Sequence, residues 1–184
     1  MKRKIIAIVL SLALCFSFTA CGGDNKSEEA SSETTAATKE TKAPVTVGTV
    51  SNLTYEVKAD YKKLSAKESK KQAKKEELDS SYKDLAYYIS DDGDKKSRIC
   101  VTYIKLAGDV GKPGTYTKTV GGKSLGLHKV CGVKGEMVKL KSKGFFDSAF
   151  FFAKDKKMYM FEVVSTEPNP ENIIEDMLKT IKKK

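Results

Sequence analysis

Residues 145–165 read FFDSAFFFAKDKKMYMFEVVS, two apolar runs on either side of a charged link. Phe145 to Ala153 and Met158 to Ser165 have the length and the aromatic and β-branched content of strands. Lys154-Asp155-Lys156-Lys157 joins them as a hairpin. Side chains alternate between the faces of a strand. Phe146, Phe150 and Phe152 therefore share one face, and Phe145, Ala149 and Phe151 the other. A sheet wetted on one side needs apolar residues on one face only. Apolar residues on both predict central strands covered from both sides.

Strand signals continue outward from this hairpin. Leu53-Thr54-Tyr55-Glu56-Val57 alternates apolar and polar residues, as a half-buried strand does. Leu85 to Ser90 and Arg98 to Leu106 read as two strands, with turn residues in the connector Asp91 to Lys96. Gly108 to Gly114, containing Pro113, reads as a loop. Thr115 to Val120 and Lys123 to Val130 read as strands about Gly121-Gly122, two glycines suited to the positive φ of a primed hairpin turn. Val133 to Lys141 alternates again.

Two helices complete the pattern. Leu64 to Lys83 is rich in lysine, with Ser65 and Glu68 at capping-box spacing. Leu64, Ala66, Ala73, Leu78 and Tyr82 give it a thin apolar stripe, so it reads as a solvated helix with an irregular end. At the C-terminus Asn169 suits a cap, Pro170 the first helical position and Glu171 the positive end of the dipole. Ile173, Ile174, Met177, Leu178 and Ile181 then form one stripe for packing on the sheet. Lys179, Lys182, Lys183 and Lys184 fall where a helix C-terminus favours cations.

The chain starts with Lys2, Arg3 and Lys4, followed by sixteen uncharged residues, Ile5 to Ala20. A basic start, an apolar run and small residues before a cut are the parts of an export signal. Sixteen residues fall short of the roughly 20 that span a bilayer core as a helix. Phe18-Thr19-Ala20-Cys21 resembles the bacterial lipobox, although leucine is usual where Phe18 stands. The resemblance implies cleavage after Ala20 and a diacylglycerol on Cys21. Each buried CH₂ contributes about 0.8 kcal/mol, so two chains hold a protein on a membrane where one binds marginally. An ordinary cleaved signal with a chance cysteine is the alternative. Residues 22–44, GGDNKSEEASSETTAATKETKAP, lack aromatic residues, leucine, isoleucine and valine. A stretch of this composition is expected to be disordered and to reach at most about 80 Å. The expected organisation is a signal peptide over 1–20, a lipidated Cys21 with a disordered linker to 44, and one domain over 45–184. Its expected location is extracytoplasmic, anchored to the cell membrane.

The formal net charge is +10. Three positive charges belong to the signal, and the linker is net −2 (three lysines against five acids), leaving the domain near +9. Lys67, Lys70, Lys71, Lys74 and Lys75 crowd one segment, just after Lys62 and Lys63. Arg98 is the one arginine after the signal. Base-edge readout and bidentate phosphate clamps favour arginine, which argues against nucleic acid as a partner. Attraction to wall polymer or anionic lipid fits the charge, and so does a merely solvated surface.

Catalytic and metal chemistry find little to work with. Cys100 and Cys131 both lie in expected strands of an exported domain, where a disulfide can persist. A bridge between them and two free buried thiols both stand open, since connectivity cannot be read from sequence. Neither belongs to the C-x₂-C pairs of structural zinc. His128, the one histidine, has no nucleophile elbow near it and reads as a structural strand residue. Asp91, Asp92 and Asp94 about Gly93 lack the spacing and distal Glu of a calcium loop. Gly121-Gly122 lacks the strand–G-x-G-x-x-G–helix context of a nucleotide site. No catalytic residue, metal ligand or cofactor is expected.

The element order carries one further resemblance. A strand runs into the basic-aromatic stretch Val57-Lys58-Ala59-Asp60-Tyr61-Lys62, followed by a strand pair, a Gly-centred hairpin, an aromatic hairpin with an acidic-lysine turn, and a capped terminal helix. Over about 50 to 184 this resembles the small PsbP-like lipoproteins of Gram-positive anaerobes, many of which carry tryptophan where Tyr61 stands. The resemblance implies an α+β fold, a twisted antiparallel sheet flanked by helices as an α/β/α sandwich, and no particular activity. The expected function is a non-enzymatic binding or accessory module of the cell envelope, with an envelope protein as partner. The alternative is a basic module for an anionic polymer or lipid. A two-lobed solute receptor is excluded by size, and the oligomeric state is left open.

Overall fold

The computed structural model describes residues 44–93, 95–106 and 113–184. The expected signal, Cys21 and nearly all of the linker lie outside the described residues, as do Asp94 and most of the 108–114 loop. In chain order the elements are β1 (Val45–Val50), β2 (Leu53–Lys58), β3 (Lys62–Lys63), α1 (Ala66–Lys75), β4 (Tyr82–Asp92) and β5 (Lys95–Lys105). They continue with α2 (Tyr116–Val120), β6 (Lys123–Val130), β7 (Val133–Leu140), β8 (Phe146–Lys154), β9 (Lys157–Ser165), α3 (Glu171–Thr180) and β10 (Lys182–Lys183).

Seven strands form one antiparallel sheet in the order β3-β4-β5-β9-β8-β7-β6. The aromatic hairpin is β8 and β9, at the middle of that sheet as its two apolar faces demand. Its turn residues Asp155 and Lys156 both have positive φ, 51° and 56°, the conformation of a primed two-residue turn. On one face Phe150, Phe152, Phe161 and Val163 join a core with Tyr55 and Val57 of β2 and with Ile174 and Met177 of α3. On the other face Ala149, Phe151 and Met160 join Tyr87, Cys100 and Val138 beneath Ala73 of α1 and Tyr116 of α2. A small antiparallel sheet, β1-β2-β10, shares the first face with α3. The fold is thus α+β, with helices on both faces of a many-stranded antiparallel sheet.

Three local expectations are corrected. Residues 116–120 are a helix, not a strand, although Thr117, Thr119 and Val120 are β-branched. The buried carboxylate of Glu136 on β7 accepts the N–H groups of Gly114 and Tyr116 and the hydroxyl of Thr117, and Tyr116 stacks on Phe151 at 5.7 Å. Tertiary partners here override local propensity. Gly121 (φ 75°) accordingly ends that helix in the left-handed conformation, and the primed turn of the region is Cys131-Gly132 (φ 49° and 82°), between β6 and β7. Third, α3 stops at Thr180. Asn169 has φ 59° and makes no side-chain cap, Pro170 takes the cap position, and Lys182 and Lys183 pair with Thr54 and Leu53 of β2. The stripe itself forms, with Ile174 and Met177 buried and Ile173, Leu178 and Ile181 packed around them.

Phe161 is fully buried, whereas Phe146, at the start of β8, is 38 % exposed. Phe161→Ala is expected to lower the unfolding free energy by about 3–5 kcal/mol in urea titrations, and Phe146→Ala by less than about 1 kcal/mol.

Candidate functional site

The lysine-rich helix forms as its caps dictate. Ser65 Oγ accepts the Glu68 N–H, and Glu68 accepts the Ser65 N–H at 2.9 Å, closing the capping box. Hydrogen bonds from the Ser65 side chain and then its backbone hold the Glu68 carboxyl below its ordinary range. The helix is shorter than the 64–83 expected, ending at Lys75 with Glu76 as its cap. Lys67, Lys70, Lys71, Lys74 and Lys75 are all exposed. At 3.6 residues per turn they fall within an arc of about 140°, opposite the buried Ser69 and Ala73. The structure therefore gathers the five lysines onto one water-facing side of α1.

Beneath α1 lies a buried polar cluster. Glu76 Oε1 pairs with Arg98 Nη1 at 2.9 Å and accepts Gln72 Nε2 at 2.6 Å, while Tyr87 donates its hydroxyl to Glu76 Oε2 at 2.7 Å. The side chains of Arg98 and Glu76 are 13 % and 1 % exposed. Strand register brings two more acids to this face. Glu162 of β9 stands between Cys100 of β5 and Ala149 of β8, and Asp147 of β8 lies two residues before Ala149. Arg98 Nε, Asp147 Oδ1 and Glu162 Oε2 are buried without a hydrogen-bond partner. Burial pushes the Asp147 carboxyl up to about 7, against the pull of Arg98. Burial and then repulsion from Asp147 push Glu162 up to about 8. Glu136 behaves oppositely: burial raises it, but hydrogen bonds from Thr117, Ser124 and the backbone prevail and hold it below the ordinary carboxylate range.

The other residues singled out in the sequence are dispersed. Cys21 lies outside the described residues. Cys100 and Cys131 are free thiols on different sides of the sheet. Cys100 is fully buried in the core under α1, and Cys131 packs partly buried against the opposite core, in a turn and not in a strand. The sheet between them keeps the pair from bridging. Burial, ahead of the nearby Glu162 and Glu76, pushes the Cys100 thiol up, the condition of an inert thiol. His128 is half-buried on β6, its ring edge-on to Phe150 at 6.0 Å, on the face away from Cys100. Asp92 accepts the Ser90 hydroxyl at 3.3 Å beside an exposed turn. Among the described residues no group of three or more His, Cys, Asp or Glu is arranged to hold a metal, and no helix is long and apolar enough to cross a membrane.

Two adjoining grooves share Tyr61 and Ile173. One, of about 270 Å³, has Val57, Ile99 and Met177 in its wall and the Lys58–Asp176 pair (3.2 Å) at its rim. The other, of about 280 Å³, is mixed, with Asp60, Asp92, Ser97 and Glu167 beside Pro168 and Pro170. Sequence reading passed over the Glu76–Arg98–Asp147–Glu162 cluster. Its signal was present, since Asp147 and Glu162 interrupt apolar runs at positions whose same-face neighbours, Ala149 and Phe151 or Met160 and Val164, point into the core. The chain matches no family model and no curated protein sequence.

A maleimide reagent is expected to label Cys131 of the folded protein and to reach Cys100 only on unfolding, read by mass spectrometry of peptides. The cluster also sets a pH dependence. Asp147 and Glu162 hold their protons more tightly folded than unfolded, so their contribution is complete below the unfolded carboxylate range, near pH 4, and declines as pH rises through about 8. Urea midpoints should fall between pH 5 and 9, and Asp147→Asn with Glu162→Gln should flatten that fall.

Proposed function

We propose that the chain is a lipid-anchored, extracytoplasmic binding module of the cell envelope, without enzymatic activity, whose lysine face on α1 meets an anionic polymer or lipid surface. The observation that carries this reading is the single exposed arc of Lys67, Lys70, Lys71, Lys74 and Lys75. Its one first-turn acid, Glu68, is engaged in the cap. A lysine near an anionic surface contributes about 1 kcal/mol, so five on one arc give useful attraction without selecting a sequence or a shape. Anchoring through Cys21 rests on the lipobox resemblance, and the linker supplies the reach. Within the α+β class, a PsbP-like relationship rests on the sequence resemblance, one part of which, the Gly-centred hairpin, is instead the helix α2 and its cap. The free thiols and the absence of a disulfide among the described residues leave the extracytoplasmic address resting on the N-terminal signal.

A second reading, a module that grips an envelope protein, is favoured by the groove walled by Val57, Ile99 and Met177. Salt separates the two. Exposed charges are screened over a Debye length of about 8 Å at physiological ionic strength. Binding of the unlipidated domain, residues 45–184, to isolated envelopes is expected to fall by about tenfold or more between 0.05 and 0.3 M salt. It should be lost when Lys70, Lys71, Lys74 and Lys75 are changed to Glu. Binding that withstands salt but disappears after protease treatment of the envelopes would replace the polyanion by a protein partner.

A further inference from the structure

Three carboxylates and one guanidinium meet beneath α1, carried by elements of unequal firmness. Arg98, Glu162 and Asp147 belong to β5, β9 and β8, adjacent strands at the centre of the large sheet. Glu76 belongs to the end of α1. Among the described residues the other titratable groups near them are Tyr82 and Tyr87 of β4 and Cys100 of β5; β7 contributes Val138 and Leu140 to that core and, farther along the same face, Glu136, which is bonded to Gly114, Tyr116 and Thr117. Among the described residues the cation facing these acids is Arg98. With all three acids ionised the cluster would carry two uncompensated negative charges. A buried unpaired ion costs several kcal/mol. The pocket is relieved in either of two ways, by holding protons or by expelling a carboxylate.

Glu76 is the carboxylate free to go. Asp147 and Glu162 are held by strands bonded on both sides. Helix α1 has ten residues, fewer than the roughly 12–15 that sustain an isolated helix in water. Its largely lysine surface leaves Ala73, Leu64, Leu78 and the Glu76 contacts to seat it on the sheet.

We propose that Glu76, Arg98, Glu162 and Asp147 form a proton-operated latch for α1. While the two sheet acids carry protons, Arg98 is left to Glu76 and the helix is seated. When those protons pass to solvent, Arg98 is shared with Asp147 and Glu162, Glu76 is repelled, and α1 lifts from β4. The upward displacement of both sheet acids by burial agrees with this direction. The latch is independent of what the lysine face binds, and it places that face on the one element whose seating depends on pH.

Hydrogen exchange of the full chain, followed from pH 6 to pH 9 and corrected for intrinsic rates, tests the latch. Amides of 69–78 are expected to exchange ahead of those in β8 and β9 at every pH. Their protection should fall by about tenfold or more over the range, the effect of a shift of one pKa unit. In Asp147→Asn with Glu162→Gln that pH dependence should vanish. Should the double variant not fold, Glu76→Gln, which neutralises the helix-borne member, is expected to give the same flat profile. Helix protection that does not change with pH would overturn the latch. So would protection equal to that of β8 and β9 throughout, or a variant that keeps the parent's pH profile.

Discussion

The ion pair of Arg98 with Glu76, closed at 2.9 Å in a nearly dry site, joins the lysine helix to the sheet. Most else on that face of the molecule follows from it. Tyr87 and Gln72 complete the hydrogen bonding of the Glu76 carboxylate, and Leu64 N–H donates to Tyr87 O at 2.8 Å at the other end of α1. A helix of ten residues with one lysine-lined side has little apolar surface with which to dock. Buried ion pairs contribute little net stability, yet removing one partner is strongly destabilising because the other charge is left alone. The pair therefore acts less as an adhesive than as a condition: α1 is seated where its Glu76 can find Arg98.

The opposite face is ordinary by comparison. There Phe150, Phe152, Phe161 and Tyr159 pack with Tyr55 and α3, with ring centroids 4.9–6.2 Å apart. The Tyr55 and Tyr88 hydroxyls satisfy one another at 3.0 Å. Such a core depends on shape and area. The two faces thus differ, one core being aromatic and the other holding the buried acids. The lysines are displayed on the side of the acids.

The sheet and its two covered faces were legible because β8 states the pattern in adjacent residues, aromatic at both parities, and β9 repeats it with apolar residues on both faces. The capping box was legible in Ser65 and Glu68, and the apolar stripe of α3 in its i, i+4 spacing. Residues 116–120 were not, since the helix there is imposed by Glu136, twenty residues from Tyr116. Nor was the strand made by Lys182 and Lys183, which depends on an open edge of β2 that no local signal reveals. The lysine face could be read in composition and needed only the helix to align it. The acid cluster escaped because its members come from four elements, and each acid alone reads as a surface residue. A charge within an apolar strand was the one available sign.

Both functional proposals rest on α1, one on its exposed side and one on its buried side. The latch, and the placing of the lysine face on the sheet, both require that the Arg98 guanidinium seat this helix. Arg98→Met replaces it with an apolar side chain of similar length and leaves the three carboxylates in place. Urea unfolding at pH 7, with amide spectra of residues 66–78, is the direct test. A loss of about 3–5 kcal/mol, with the largest spectral changes in α1, is the expected result. A loss below about 1 kcal/mol with the α1 signals unmoved would mean that apolar contacts alone hold the helix, and would contradict the account.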